Sequence, residues 1–363
     1  MLHQRHRGPP DVLRGLQRLR RPGSYRAGRI PLCRPGFHWR QTMKQRIIAA
    51  FIASTLGFIG TAVQAQADSF PDKPVTLVVP YSPGGGSDNI ARAAANFLSQ
   101  YWKQPVIVEN KPGADGMIAT RQVMRAAPDG YTLLISIPAI AALKYINKAM
   151  DADPLVELRP VSMLASGPTG IVVKGGTDIR TIDDLKKACA KSAARCSWAS
   201  GEPFTLLAGT GLVEKMGLKD MTNVRYAGTS AAVNDIIGGR VTMVVTGLSS
   251  VVPHHKAGTM KILALSSDKR LPEVPDVPTY AESGLGDVDF TNNWYGIFVP
   301  AKTPDAVVGR IADGMRLAAR DPQVLKVLQP LLIQPVGSSP EEFAATVKRA
   351  QATVDKLSSH LTQ

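Results

Sequence analysis

The sequence predicts an α/β protein in which helices cover both faces of mostly parallel sheets. Short β-branched apolar runs alternate along the chain with segments whose apolar residues recur at helical spacing, which is typical of βαβ units. The chain has 363 residues and is 44% hydrophobic, so it is long enough for two domains with a sizeable core. This composition excludes a disordered chain, a disulfide-dense miniprotein and a collagen-like fibre.

The alternation is clearest between residues 75 and 137. Val75–Pro80, Val106–Glu109 and Tyr131–Ile137 are short apolar runs bounded by turn residues, and they predict strands. Residues 88–102 and 117–127, which lie between these runs, have the apolar spacing of helices. The order βαβαβ predicts a parallel sheet that is covered on both faces.

The same alternation continues to the C-terminus. Further strands are predicted at 170–173, 196–198, 241–245, 262–265 and 297–299. Further helices are predicted at 204–216, 230–238, 303–319, 322–328 and 340–357.

The formal net charge of +14 would suggest a nucleic-acid or anionic-lipid partner if it were spread over the chain. It is concentrated at the front, because residues 1–42 contain ten Arg and a single acidic residue, Asp11. Residues 68–363 have 31 basic and 28 acidic residues and are nearly balanced. We therefore expect no nucleic-acid partner.

Residues 43–67 have the three parts of a secretory signal peptide. Lys44 and Arg46 form a positive start, an uncharged apolar stretch follows, and Ala-Gln-Ala precedes Asp68 as a cleavage site. A transmembrane anchor is the alternative, although the apolar stretch is short for a bilayer span. Residues 1–42 then read as a non-native upstream extension, with an Arg-rich nucleic-acid-binding arm as the alternative. The mature chain is predicted to be periplasmic.

Cys189 and Cys196 are the two cysteines of the predicted mature chain. An even pair seven residues apart in an oxidising compartment predicts a short-loop disulfide. A pair of free thiols is the alternative. A redox motif is not favoured, because the spacing is not C-x-x-C.

Three strand-to-helix loops are candidates for binding an anion. Residues 80–88 carry three consecutive glycines, which allow a tight turn and close approach to a ligand, and Asp88 is placed as the N-cap of the following helix. Residues 200–205 and 226–230 precede two further predicted helices. Free N–H groups at a helix start attract anions. For each loop alone, an ordinary helix cap or turn is the alternative.

Other chemistry finds little support in the residues. Gly84 and Gly86 would suit a dinucleotide fingerprint, but Asn89 occupies the position of its third glycine. The mature chain contains no P-loop, no G-x-S-x-G and no H-E-x-x-H motif. The adjacent His254 and His255 are weak evidence for a metal, since neighbouring side chains seldom converge on one ion. We expect no cofactor, no metal and no catalytic residues.

Several runs resemble the Bug family, the extracytoplasmic solute receptors of tripartite tricarboxylate transporters. They are KPVTLVVPYSPGGGSD at 73–88, VENKPG at 108–113, APDGYTLL at 127–134, VPHHKAG at 252–258, LPEVPDVPT at 271–279 and PVGSSPEEF at 335–343. The resemblance extends over essentially all of residues 68–363.

The resemblance implies a two-lobed periplasmic binding protein fold of type II-like architecture, with the ligand cleft between the lobes. The first lobe would comprise 68–172 and 293–363, and the second lobe 173–292, with the chain crossing near Val172 and near Asn293. The implied function is capture of a small carboxylate by lobe closure and its delivery to membrane transporter subunits, by a monomer. A binding protein that serves a signalling partner and a secreted α/β enzyme are the alternatives.

Family members hold a ligand carboxylate between two facing loops, largely through backbone N–H groups. Carried over to this sequence, the ligand-binding residues would be Ser82, Pro83, Gly85, Gly86, Ser87, Asp88, Ser200, Gly201, Glu202, Thr205, Tyr226, Gly228, Thr229 and Thr246. Trp294 and Tyr295 would lie on the aromatic segment that returns to the first lobe.

The sequence departs from the family at two acidic residues. Asp115 stands where a glycine is frequent, and Glu202 is an anion in a loop that should bind one. Since Pro203 offers no N–H, Glu202 is expected to lack an obvious partner. It points to solvent, or it recognises a ligand amino group, or the pocket has changed ligand. If it faces the cleft, an amino acid or a nitrogen heterocycle acid is favoured over a citrate-like tricarboxylate.

Overall fold

The computed structural model describes residues 70–146, 152–190, 196–226, 228–286 and 292–358. The predicted upstream extension 1–42 and signal peptide 43–67 lie outside these residues.

The described chain alternates strands and helices as the sequence predicts. The strands are β1 (Val75–Val79), β2 (Val106–Asn110), β3 (Thr132–Ser136), β4 (Leu158–Lys174), β5 (Ser197–Ser200), β6 (Thr222–Arg225), β7 (Met243–Gly247), β8 (Met260–Leu265), β9 (Asn292–Pro300) and β10 (Gln334–Pro335). The helices are α1 (Gly86–Trp102), α2 (Met117–Met124), α3 (Leu143–Ile146), α4 (Pro154–Glu157), α5 (Ile182–Ala190), α6 (Pro203–Lys215), α7 (Thr229–Ile237), α8 (Val252–Lys256), α9 (Asp305–Ala318), α10 (Pro322–Leu328) and α11 (Pro340–Leu357).

Two sheets form the centres of two lobes. In the first lobe, β1 lies between β2 and β3 and is parallel to both, while β9 runs antiparallel to β3 and β4. In the second lobe, β5 lies between β6 and β7 and is parallel to both, while β4 pairs antiparallel with β7 and β8. The α/β class is confirmed, and within it the sheets are mixed, because β4 and β9 oppose their neighbours.

The long strand β4 joins the two lobes. Residues 158–168 pair with β9 in the first sheet, and residues 169–173 pair with β7 in the second. The strand therefore changes sheets between Pro168 and Thr169, slightly before the expected crossing near Val172. Because one strand belongs to both sheets, the lobe boundaries at residues 172 and 292 stay a prediction.

The β1–α1 unit forms as its sequence dictates. Val75, Leu77, Val78 and Val79 are fully buried, as is typical of a parallel strand covered on both faces. The α1 residues that contact this sheet recur at helical spacing, and they are Ile90, Ala91, Ala94 and Leu98. Because these contacts hold β1 and α1 in place, the loop between them has one defined position.

Cys189 at the end of α5 and Cys196 before β5 form a disulfide, with their Cα atoms 5.8 Å apart. Both side chains belong to the apolar core of the second lobe. The bridge lies next to β5, the strand that leads to the predicted loop 200–205.

Candidate functional site

A cavity of ≈ 50 Å³ lies between the two lobes, at the carboxyl ends of their parallel strands. Its walls come from the loops that follow β1, β3, β5, β6 and β7, and from β9. The residues that line it are Tyr81, Ser82, Gly85, Gly86, Ser87, Ile137, Glu202, Gly228, Thr229, Thr246, Gly247, Ser249, Ser250, Asn293 and Tyr295.

The N-terminus of α1 is open to this cavity. Gly85 is its N-cap, and among the described residues no side chain caps the first N–H groups of the helix. A Cβ on Gly86 would lie 2.5 Å from both Ser249 Oγ and the Tyr295 hydroxyl. Only glycine therefore lets the helix start approach the opposite wall this closely.

The N-terminus of α7 approaches from the second lobe. Its N-cap, Gly228, has a φ of 121° and also makes no side-chain cap hydrogen bond. The hydroxyls of Thr229 and Thr246 are hydrogen-bonded to each other at the cavity wall. Two glycine-capped helix starts from different lobes thus present amide donors to one cavity, an arrangement that suits an anion.

The N-terminus of α6 is different, because its N-cap is Glu202. Glu202 and Thr205 form a capping box, and the Thr205 hydroxyl also accepts the N–H of Gly201 at 3.1 Å. The expectation that Glu202 lacks a partner is wrong, since the partner lies three residues on rather than in the adjacent Pro203. Phe204 is fully buried with the core of the first lobe and fixes this helix start against it.

The Glu202 side chain lines the cavity, and the residue is only 9% exposed. Burial, with a smaller contribution from the nearby Asp115, raises the pKa of its carboxyl to about 7 against the lowering effect of a Thr205 hydrogen bond. Glu202 is the only charged side chain among the residues that line the cavity. The cavity therefore carries a carboxyl group and no cation among those residues.

Two tyrosine hydroxyls complete the polar wall. Burial raises the pKa of Tyr295 to about 12, and burial together with the charges of Glu202 and Asp115 raises that of Tyr81. Both phenols are neutral near pH 7 and are available as hydrogen-bond donors.

Asn293 contributes an acceptor to the same wall. Its Nδ2 donates to the Tyr295 hydroxyl at 3.1 Å, and its Oδ1 is buried without a hydrogen-bond partner among the described residues. Asn293 is 4% exposed. A buried carbonyl oxygen without a donor is costly unless a bound molecule supplies one.

Eight of the fourteen residues predicted to bind ligand line the cavity, and the other six do not. The eight are Ser82, Gly85, Gly86, Ser87, Glu202, Gly228, Thr229 and Thr246. The six are Pro83, Asp88, Ser200, Gly201, Thr205 and Tyr226. Among these, Ser200 bonds to Asn223, and the Tyr226 hydroxyl donates to Asp235 at 2.6 Å.

Asp88 is not the N-cap of α1, and that prediction is wrong. The helix begins at Gly86, two residues earlier, so Asp88 lies in its first turn and is 3% exposed. Its carboxylate accepts the Gly84 N–H at 2.9 Å and pairs with Arg92 at 3.0 Å. Asp88 thus holds the shape of the glycine loop and does not line the cavity.

Seven residues that line the cavity are not among the predicted ligand-binding residues, although Tyr295 is predicted to lie on the returning segment. They are Tyr81, Ile137, Gly247, Ser249, Ser250, Asn293 and Tyr295. The position at or just after the end of a parallel strand, here β3 or β7, could have identified Ile137, Gly247, Ser249 and Ser250. Trp294, the neighbour of Tyr295, instead packs against Phe298 and Phe343.

One ion pair joins the two lobes beside the cavity. Arg225 at the end of β6 donates to Asp115 at 2.9 Å, and Asp115 precedes α2 in the first lobe. Asp115 has a φ of 57°, a conformation that favours glycine. The acidic side chain at this glycine-like position therefore reaches the other lobe.

Within the described ranges, no cluster of three or more His, Cys, Asp or Glu side chains is arranged to hold a metal ion. Among the helices in those ranges, none is both long and apolar enough to cross a membrane.

Comparisons with known proteins agree on one family. A family model described as "Tripartite tricarboxylate transporter family receptor" matches residues 90–359. A protein from Pseudomonas sp. (strain P51), described as "UPF0065 protein in tcbD-tcbE intergenic region", is 31% identical over 315 residues, which are 86% of this chain and 93% of that protein.

Solved structures are similar over most of the chain. The periplasmic binding protein BugD has 30% identity and a TM-score of 0.74, and the match covers 80% of this chain and 98% of BugD. MatC from Rhodopseudomonas palustris with bound malate has 25% identity and a TM-score of 0.73, covering 80% of this chain and 100% of MatC.

Proposed function

The chain belongs to the tripartite tricarboxylate transporter receptor family, and we propose that it is a periplasmic receptor for a small carboxylate. In this proposal the signal peptide at 43–67 exports the chain. The mature monomer then closes its two lobes on the ligand and delivers it to the membrane subunits of a tripartite transporter. It binds without a cofactor and without catalysis.

The observation that carries the proposal is the meeting of two glycine-capped helix starts in one cavity. The first N–H groups of α1 and α7 carry partial positive charge and have no side-chain cap at Gly85 or Gly228. A carboxylate has the charge and the acceptor geometry that such amides bind. With no cation among the lining residues, these amides and the neighbouring hydroxyls are the anion-binding groups.

Closure of the lobes is expected because the anion-binding groups belong to different lobes. The α1 start belongs to the first lobe and the α7 start to the second, so one carboxylate between them links the lobes. The Arg225–Asp115 ion pair at 2.9 Å and the burial of Phe204 in the first-lobe core add contacts that exist only when the lobes are together. Ligand binding would therefore favour the closed arrangement.

The comparison with malate-bound MatC supports a small carboxylate as the ligand class, because that protein shares the fold over most of both chains. Family membership supports delivery to a transporter.

Binding is tested on the mature chain, residues 68–363, with a panel of mono-, di- and tricarboxylates. We expect at least one carboxylate to raise the melting temperature and to give saturable heat in calorimetry, with the compound recovered unchanged. We expect the same compound to reduce the radius of gyration in X-ray scattering as the lobes close. Chemical conversion of the compound, or no binding by any carboxylate, would contradict the proposed function.

Delivery is tested separately by crosslinking the exported protein in its native membranes. We expect the ligand-loaded receptor to crosslink to integral subunits of a tripartite transporter more than the ligand-free receptor does. Capture of a signalling receptor instead of transporter subunits would contradict the transport role while leaving carboxylate binding intact.

A further inference from the structure

The three helix starts beside the cavity do not offer the same chemistry. Those of α1 and α7 have glycine N-caps, Gly85 and Gly228, and leave their amides open. That of α6 is capped by Glu202, whose carboxyl lines the cavity. The cavity is thus lined by two helix starts that offer amide donors and by one whose carboxyl accepts hydrogen bonds.

The charges that face Glu202 give its carboxylate no cation of its own. The titratable groups near it are Asp115, Tyr81 and Tyr295, which are an acid and two phenols. The guanidinium of Arg225, on the second lobe, is paired with Asp115 at 2.9 Å. The capping box gives the Glu202 carboxyl a backbone N–H of the α6 start and no cationic side chain.

A second buried acceptor lies on the same cavity. Asn293 lines it, is 4% exposed, and has an Oδ1 without a partner among the described residues. Its Nδ2 is already used by Tyr295. The Asn293 Oδ1 therefore lacks a donor among the described residues, and a ligand with N–H groups would supply one.

We propose that Glu202 determines the specificity of the cavity by binding a positively charged amino group of the ligand, which is then an amino-carboxylate rather than a nitrogen-free di- or tricarboxylate. The inference rests on the proposed carboxylate-binding function. The helix starts of α1 and α7 hold the carboxylate, and Glu202 beside the α7 start holds the ammonium group. A second ligand carboxylate placed there would meet Glu202 and would be disfavoured by like-charge repulsion.

The pH dependence of binding distinguishes the two ligand classes. Burial raises the pKa of Glu202 to about 7, so the carboxyl loses its proton between about pH 6 and pH 8. An ammonium group binds the charged carboxylate, so its affinity rises with pH over this range. A nitrogen-free dicarboxylate prefers the protonated form, so its affinity falls.

The experiment is calorimetry with matched pairs of acids, each amino acid beside its desamino analogue: aspartate and succinate, glutamate and glutarate, alanine and propionate. Wild type is compared with Glu202→Gln, which keeps the shape and removes the charge, and with Glu214→Gln, which removes a charge from an exposed position on the same helix. We expect the amino member of a pair to bind at least about tenfold more tightly in wild type and in Glu214→Gln. We expect Glu202→Gln to lose that preference.

Each outcome is decisive. Equal or tighter binding of the nitrogen-free member in wild type overturns the inference and leaves the carboxylate-binding function standing. A preference that survives in Glu202→Gln overturns the role of Glu202. If no member of any pair and no other carboxylate binds, the proposed function fails, and the inference fails with it.

Discussion

The starts of α1 and α6 face the same cavity but differ in the residue at their N-caps. α1 begins behind Gly85, which leaves its first amides open, whereas α6 begins behind Glu202, which places a buried carboxyl on the cavity wall. Both follow a parallel strand and both loops were selected from the sequence as anion sites. The fold therefore determines where the ligand binds, and the N-cap residue determines which charge on the ligand is favoured there.

A substitution at the α1 start is expected to have the largest effect on ligand affinity. Replacing Gly86 by valine places a branched side chain where Ser249 Oγ and the Tyr295 hydroxyl lie 2.5 Å from a Cβ. We expect carboxylate affinity to fall more than about 1,000-fold, ~4 kcal/mol, because the helix start and the opposite wall can no longer approach. Calorimetry with the best ligand of the panel measures it.

Gly309→Ala is the matched control, because a Cβ at this α9 glycine meets nothing within 4 Å. It should leave affinity unchanged and raise stability by about 0.5–1 kcal/mol, as expected for glycine replaced in a helix. Near-normal binding by a folded Gly86→Val protein would mean that the α1 start does not hold the ligand.

The α6 start is best tested through the stability of the ligand-free protein. Burial raises the pKa of Glu202 from 4.5 to about 7, so the folded protein holds this proton more tightly than the unfolded chain does. The resulting stability is present below about pH 4.5 and is lost as the pH rises to about 7, on the order of 3 kcal/mol. We expect Glu202→Gln to gain stability relative to wild type between about pH 4.5 and pH 8.

Denaturant titrations of wild type, Glu202→Gln and Glu214→Gln at about pH 4.5 and pH 8 measure the difference in the free energy of unfolding. The Glu214→Gln variant should follow wild type, since Glu214 is exposed. Parallel stability curves for wild type and Glu202→Gln would show that the Glu202 carboxyl is solvated in solution, and the contrast with α1 would disappear.

Removing the ion pair between the lobes is expected to change ligand affinity less than a substitution at the α1 start. Arg225 and Asp115 have side chains that are 46% and 29% exposed, so the pair is largely screened by solvent. We expect Arg225→Gln to weaken ligand binding by no more than about fivefold, and less at high salt. Arg270→Gln removes a pair with Glu282 of similar exposure within the second lobe, and it should not change affinity. An equal loss in both variants would contradict a role in closure.

The sequence predicts the fold best where local pattern and burial agree. β1 begins at Val75 and α1 ends at Trp102 as expected, because their apolar spacing matches the faces they bury, whereas α1 begins two residues before the predicted start. The first half of β4 was not predicted, because Pro160, Gly167 and Pro168 interrupt its apolar run. This part of β4 is held as a strand by its backbone hydrogen bonds to β9, which the local sequence does not predict.

In the candidate site too, the sequence predicts the residues that have a local signature and not those placed by long-range pairing. Loop residues such as Gly86 and Thr229 were found because a glycine-rich turn before a helix has a local signature. Asn293 and Tyr295 enter the cavity from β9, whose position depends on pairing with a strand more than a hundred residues earlier. Such long-range placement has no short-range pattern. The capping box of Glu202 with Thr205 was overlooked although its spacing is local.

The central claim is that one carboxylate is held between the helix starts of α1 and α7, and a structure of the ligand-bound mature protein tests it most directly. We predict a ligand carboxylate whose oxygens lie within about 2.7–3.2 Å of backbone nitrogens at the start of both helices. A carboxylate bound elsewhere, for example against Arg349 in the groove on the other side of Asn293, with no contact to the amides at Gly86 or Thr229, would contradict the account.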